Sequence, residues 1–168
     1  MNIDPFFLWV ESTALSQWVT GSPSVAFGFP GILTLHAIGM GVAAGLATAL
    51  DLRIFGVARG IPLIEFRRFL PILWAGFWLN AVSGVLLLIG YPTKALTNPV
   101  FYLKLTFIFW AMAILVRIDR RVVAGLAGDP ARERTLRRMA AVSLVCWIGA
   151  IFAGRFLAYT YSRLTALG

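Results

Sequence analysis

Apolar residues dominate four long stretches of the chain, and the segments between them collect Gly, Pro and Arg. Each stretch approaches the ~20 residues that an α-helix needs to cross the hydrocarbon core of a bilayer. The expected crossings run from about Phe29 to Phe55, Phe69 to Ile89, Val100 to Val116 and Met139 to Tyr161. Pro30 suits the first turn of the first crossing, where its missing N–H costs nothing, and Pro71 does the same for the second. Gly90-Tyr91-Pro92 ends the second crossing, Thr93 to Pro99 reads as a short loop, and Gly125-Leu126-Ala127-Gly128-Asp129-Pro130 reads as the turn between the third and fourth. Short connections make sequential helices antiparallel neighbours. The predicted fold is therefore an all-α membrane protein, a four-transmembrane-helix bundle forming a single domain over residues 1–168.

Ahead of the crossings, residues 4–19 carry Phe7, Val10, Ala14 and Trp18 at helical spacing beside Glu11, Ser12 and Ser16. That pattern predicts a short helix lying along the membrane interface. Gly21, Pro23 and Gly28 then break it. Residues 1–5 lack the basic region of a secretory signal, so no cleavage is expected.

Composition agrees with this pattern and narrows the function classes. Of 168 residues, 60% are hydrophobic and 13% charged, against the ~25% charged of soluble domains, and the mean hydropathy is +0.83. A soluble fold could not cover that much apolar surface. The formal net charge of +8 would suit nucleic acid only if it formed a basic face in water, whereas here the arginines gather at helix ends. Arg53, Arg59, Arg67 and Arg68 separate the first two crossings. Arg117, Arg120, Arg121, Arg132, Arg134, Arg137 and Arg138 separate the last two. The other side holds Lys94, Lys104, Arg155 and Arg163. Basic residues are retained on the cytoplasmic side, so a multi-pass protein of the bacterial inner membrane is expected, with both termini periplasmic. Cys146 is the single cysteine, which excludes an intrachain disulfide.

Intramembrane ionisable groups are costly and mark function by default. His36, the only histidine, falls about two turns into the first crossing, on the outer half by this orientation. Met40, Ala43 and Ala47 share its helix face, while Gly41, Gly45 and Thr48 lie nearly opposite, where Gly41-x-x-x-Gly45 offers a surface for close backbone approach. Lys104 and Arg155 lie at similar depth on the third and fourth crossings, and Tyr159 is one turn beyond Arg155. Asn80, between Gly76 and Gly84 at four-residue spacing, gives the second crossing a small polar stripe.

A haem b accounts for this set. The neutral imidazole of His36 ligates the iron, Lys104 and Arg155 neutralise the propionates, Tyr159 hydrogen-bonds one of them, and Asn80, Gly84 and Met40 line the macrocycle. The second axial ligand would come from His36 of a second protomer, from Met112, or be absent; a symmetric dimer is the economical arrangement. In the plainer reading His36 bonds a neighbouring helix, the two cations reach headgroups, and the glycines are packing residues. Asp51 with Arg53, and Glu65 with Arg67, read as interfacial ion pairs. Trp9, Trp18 and Trp74 read as interface anchors, and Trp78, Trp110 and Trp147 as residues packed in the bundle or lining the pigment. No hydrolase, zinc-enzyme or phosphate-loop motif is present, so no catalytic residue is assigned.

Taken together, Leu35-His36-Ala37-Ile38-Gly39-Met40 leading to Asp51-Leu52-Arg53, Trp74-Ala75-Gly76-Phe77, Ser83-Gly84, Asn98-Pro99-x-Phe101-x-x-Lys104 and Gly154-Arg155-x-x-Ala158-Tyr159 resemble a bacterial family of four-helix inner-membrane proteins of about this length, a domain of unknown function. The resemblance covers nearly the whole chain. It implies the same fold and places His36, Lys104, Arg155 and Tyr159 at motif positions, with a loose likeness to small membrane b-type cytochrome subunits. The expected function is electron transfer near the periplasmic face through haem b, by a homo-oligomer, with a quinone or a periplasmic redox protein as partner. Against it stand a non-catalytic structural or assembly subunit of a larger membrane complex and a small transporter; transport is disfavoured because the chain shows no inverted repeat.

Overall fold

The computed structural model describes residues 5–21, 28–123 and 130–166. Within them the chain forms α1 (Pro5–Glu11), α2 (Ala14–Gly21), α3 (Phe29–Phe55), a 3₁₀ turn (Leu63–Phe69) leading into α4 (Leu70–Gly90), then α5 (Pro92–Leu96), α6 (Pro99–Val123) and α7 (Pro130–Ala166). Four of these elements are long and apolar enough to cross a membrane: Phe29–Phe55, Leu63–Gly90, Pro99–Val122 and Pro130–Leu157. The protein is thus a multi-pass, all-helical membrane protein with short helices ahead of the first crossing.

The first two crossings fall close to their expected limits. α3 ends by a mechanism that the sequence contains: Gly56 takes φ +107, its N–H donates to the Arg53 carbonyl, and the N–H of Val57 donates to Leu52. Glycine tolerates that left-handed backbone without a Cβ clash. α6 and α7 extend beyond the predicted 100–116 and 139–161, because hydropathy registers only the part of a helix immersed in lipid and not its continuation into water. Arg132, Arg134, Arg137 and Arg138 accordingly stand on a helix. The predicted turn at 125–130 lies, except for Pro130, outside the described residues. The single interfacial helix expected over 4–19 is instead two, broken at Ser12 and Thr13, whose hydroxyls donate to the Trp9 and Val10 carbonyls and so compete with helix continuation. The loop from Thr93 holds the one-turn helix α5.

α4 packs on α3, α3 on α7, and α7 on α6. The α3–α4 contact is close because a Cβ on Gly39 would lie 2.6 Å from the Asn80 nitrogen and 2.7 Å from the Gly76 oxygen. Gly149 plays the same part between α6 and α7, where Phe107 lies over it. Gly41 and Gly45, expected to be the close-approach surface, have nothing near them. A small-xxx-small spacing states that a helix can be approached closely, and packing decides which of several such stripes is used. The apolar core, which includes Ala47, Leu50, Leu73, Ile118 and Trp147, occupies the arginine-rich half. Large apolar side chains elsewhere, such as Trp78 at 60% and Phe109 at 66% exposure, point outward, the arrangement lipid favours and water does not.

At the arginine-rich end the ion pairs differ from those expected. Arg67 bonds Asp119 at 2.9 Å and Arg68 bonds Glu65 at 2.9 Å. Arg53 pairs with no acid among the described residues; it donates to the carbonyls of Ile61 and Arg59 and closes the turn after α3. Because the Arg67 side chain is half exposed, Asp119→Asn is expected to change unfolding stability by less than ~1 kcal/mol, as measured by thermal unfolding in detergent.

Candidate functional site

His36 lies on the face of α3 that packs against α4, and its ring is held at both nitrogens. Nδ1 lies 2.9 Å from the backbone carbonyl of Asn80. A carbonyl has only lone pairs to offer, so Nδ1 carries the hydrogen and donates it, which leaves the lone pair on Nε2. That lone pair faces Nζ of Lys104 from α6 at 3.1 Å, and the ammonium donates to it. Ser83 Oγ stands 3.3 Å from Nδ1 and donates to the Leu79 and Asn80 carbonyls. The side-chain amide of Asn80 returns a bond of 2.7 Å to the backbone oxygen of His36. Three crossings meet at one imidazole.

The local sequence explains the placement. Gly84 stands one turn beyond Asn80, and a Cβ there would meet His36 Cε1 at 3.0 Å; only glycine leaves the ring its room. Gly39, one turn along α3, brings the Asn80 backbone near enough to accept from the ring. The stem of Lys104 runs against Gly154 of α7, 3.6 Å from where its Cβ would stand. No carboxylate pairs with Lys104 among the described residues; the ion pairs described lie at the arginine-rich end.

No family model matches this chain, and no curated protein or solved structure matches it significantly.

Of the residues singled out from the sequence, His36, Asn80, Gly84 and Lys104 come together. Met40 sits a turn away, half-buried against the core. Arg155 is exposed and Tyr159 is 71% exposed, so neither joins the cluster. Met112 is buried in the core cluster of the arginine-rich half. Trp147 is buried as expected of a packing residue, whereas Trp78 and Trp110 face outward. Ser83 joins the residues around His36; its signal in the sequence is its position three residues from Asn80 on a crossing where polar groups are scarce. A cavity of about 440 Å³ lies elsewhere, between the N-terminal helices and the end of α4, lined by residues including Glu11, Ser16, Gly90 and Thr93.

Asn80 carries a test of the cluster. Replacing it by Ala removes the amide bond to α3 while keeping the backbone acceptor for Nδ1. The expected loss is about 1 kcal/mol, near the value of a typical interhelical hydrogen bond in membranes, read from denaturant unfolding in detergent.

Proposed function

We propose that the protein binds haem b through His36 and carries electrons within the membrane, near the arginine-poor side, which the distribution of basic residues assigns to the periplasm. The observation that supports this reading is the state of the ring. Its Nδ1–H is anchored on a carbonyl, as the second nitrogen of a metal-bound histidine is, and this leaves the lone pair on Nε2. Beside it stands the amino group of an intramembrane lysine with no carboxylate partner among the described residues. A purely structural knot gains nothing from a lysine at this depth, since a hydroxyl or amide would bond Nε2 at lower cost. A single imidazole is too few ligands for a bare transition metal, which takes about four; a porphyrin brings its own equatorial set and two carboxylates that an ammonium can neutralise.

His36 Nε2 would be the atom offered to the iron, and the flexible four-carbon stem of Lys104 would let its amino group turn from the ring. Lys104 rather than Arg155 would then be the cation available to a propionate, and a second ligand would come from another protomer of a homo-oligomer. His36 would hold the iron, Asn80 and Gly39 would keep the ring oriented, and the bound group would supply one-electron chemistry to a quinone or a periplasmic carrier.

A second reading is favoured by one observation: both ring nitrogens already have partners in the chain, and the cluster ties α3, α4 and α6 together. On that reading the protein is a non-catalytic structural or assembly subunit of a larger membrane complex. An absorption spectrum of the purified protein separates the two. A Soret band supports haem; a colourless protein that takes up no added haemin supports the subunit. Lys104→Met adds a graded test, since removing a nearby positive charge destabilises the reduced haem and lowers its potential in a redox titration.

A further inference from the structure

Asp51 belongs to none of the ion pairs at the arginine-rich end. It sits one turn before the end of α3, inside a membrane-spanning segment, and is 1% exposed. Ala47, Leu50 and Ile54 around it on the helix are core residues. Ser143 of α7, equally buried, makes a side-chain hydrogen bond to the carboxyl. The other oxygen, Oδ2, is buried and has no hydrogen-bond partner among the described residues, and the same holds for the indole Nε1 of Trp147, one turn beyond Ser143 on α7. Among the described residues α3 thus carries a buried unpaired acceptor and α7 a buried unpaired donor.

The charged groups on the elements packed against this end of α3 are engaged or turned away. On the 3₁₀ turn, Glu65 holds Arg68 and Arg67 holds Asp119 of α6. On α3 itself Arg53 is committed to two carbonyls. On α7, Arg137 is paired with Glu133, Arg138 is exposed, and the buried Cys146 is a thiol. α4 contributes no titratable side chain here. A buried carboxylate without a cation is strongly disfavoured, and in practice such a group neutralises itself. A metal cation would need about six oxygens, and the seam offers one carboxyl and one hydroxyl.

We propose that Asp51 is a proton-binding site. An O–H bond forms at Oδ2 with a proton taken from water at the arginine-rich surface, about one helical turn away, and the same bond breaks on release. The site is independent of the haem reading, because Asp51 and His36 are roughly 22 Å apart along α3 at about 1.5 Å per residue.

Infrared spectroscopy of the full-length protein in lipid, with hydrogen–deuterium exchange, tests this. At neutral pH the wild type should show the carbonyl stretch of a protonated carboxylic acid, shifted in deuterium oxide. The band should vanish in Asp51→Asn and persist in Glu65→Gln and Asp119→Asn. Absence of the band from the wild type, or its persistence in Asp51→Asn, overturns the proposal. Should Asp51→Asn fail to fold, Ser143→Ala decides: loss of its hydrogen bond must move the band to higher frequency, and an unmoved band overturns the assignment.

Discussion

On the haem proposal, His36→Ala is expected to abolish the Soret band of the purified protein while the bundle still folds. Removing the ligand itself should exceed the ~10–100-fold loss of affinity that follows disruption of a metal ligand's outer partners, so the pigment should disappear and not merely weaken. The structural cost is smaller. The ring contributes hydrogen bonds to Asn80 and Lys104, each worth about 0.6 kcal/mol and at most about 1.7 kcal/mol between membrane helices. Lys104, released from Nε2, can extend its ammonium toward the interface. The two readings therefore part on two measurements. Haem binding predicts loss of colour with a modest drop in stability. The subunit reading predicts no colour in either protein and a drop of about 1–3 kcal/mol as the only effect. A wild-type protein that lacks the band after expression with ample haem and does not bind haemin would end the haem proposal.

Gly39→Ala should be the most damaging small substitution in the fold. The added Cβ would stand 2.6 Å and 2.7 Å from backbone atoms of α4, and backbone cannot rotate away as a side chain can. The helices must separate, at a cost in the overpacking range of about 1–3 kcal/mol, and Gly39→Leu should prevent α3 and α4 from docking. Separation also draws the Asn80 carbonyl from Nδ1, so ring orientation and any bound pigment should be lost together. Gly76→Ala is milder on one side, since Val42, which it meets at 2.7 Å, is a side chain. Gly41→Ala and Gly45→Ala are the controls. Both positions are open, and exchange of a helical glycine for alanine gains up to ~1 kcal/mol of helix propensity. Unfolding in detergent should rank Gly39→Ala least stable, with the two controls at or above wild type. Equal stability of all four would show that the α3–α4 contact is not the one described.

How much of the candidate site could be read in advance follows from what each residue type says alone. A histidine, a lysine and an asparagine inside apolar crossings announce themselves by their cost in lipid, and all three meet. Arg155 gives the same signal and lies outside the cluster, because a long cationic chain near the end of an apolar crossing can satisfy itself at the interface. Asp51 misled in the opposite direction. Its neighbour Arg53 made an ion pair the natural expectation, yet residues two apart on a helix project to different sides, and Arg53 turned to the loop while Asp51 turned to the core. Ser83 gives a weaker signal, since a serine in a membrane helix commonly bonds its own backbone, as this one also does.

The amino-acid order alone determined the number of crossings and their approximate limits. These depend on quantities that vary along one axis, namely the length of each apolar run and the cost of burying charge, and a single dimension of sequence records them. Which face of each crossing meets another was decided only in three dimensions. Several stripes of α3 have small residues at four-residue spacing, and the choice of Gly39 over Gly41 and Gly45 depends on where the backbone of α4 at Gly76 and Asn80 meets it. The pairing of Lys104 with His36 and the isolation of Asp51 follow from that rotation, because the angle of a helix about its own axis is fixed by its neighbours and by nothing within the helix itself.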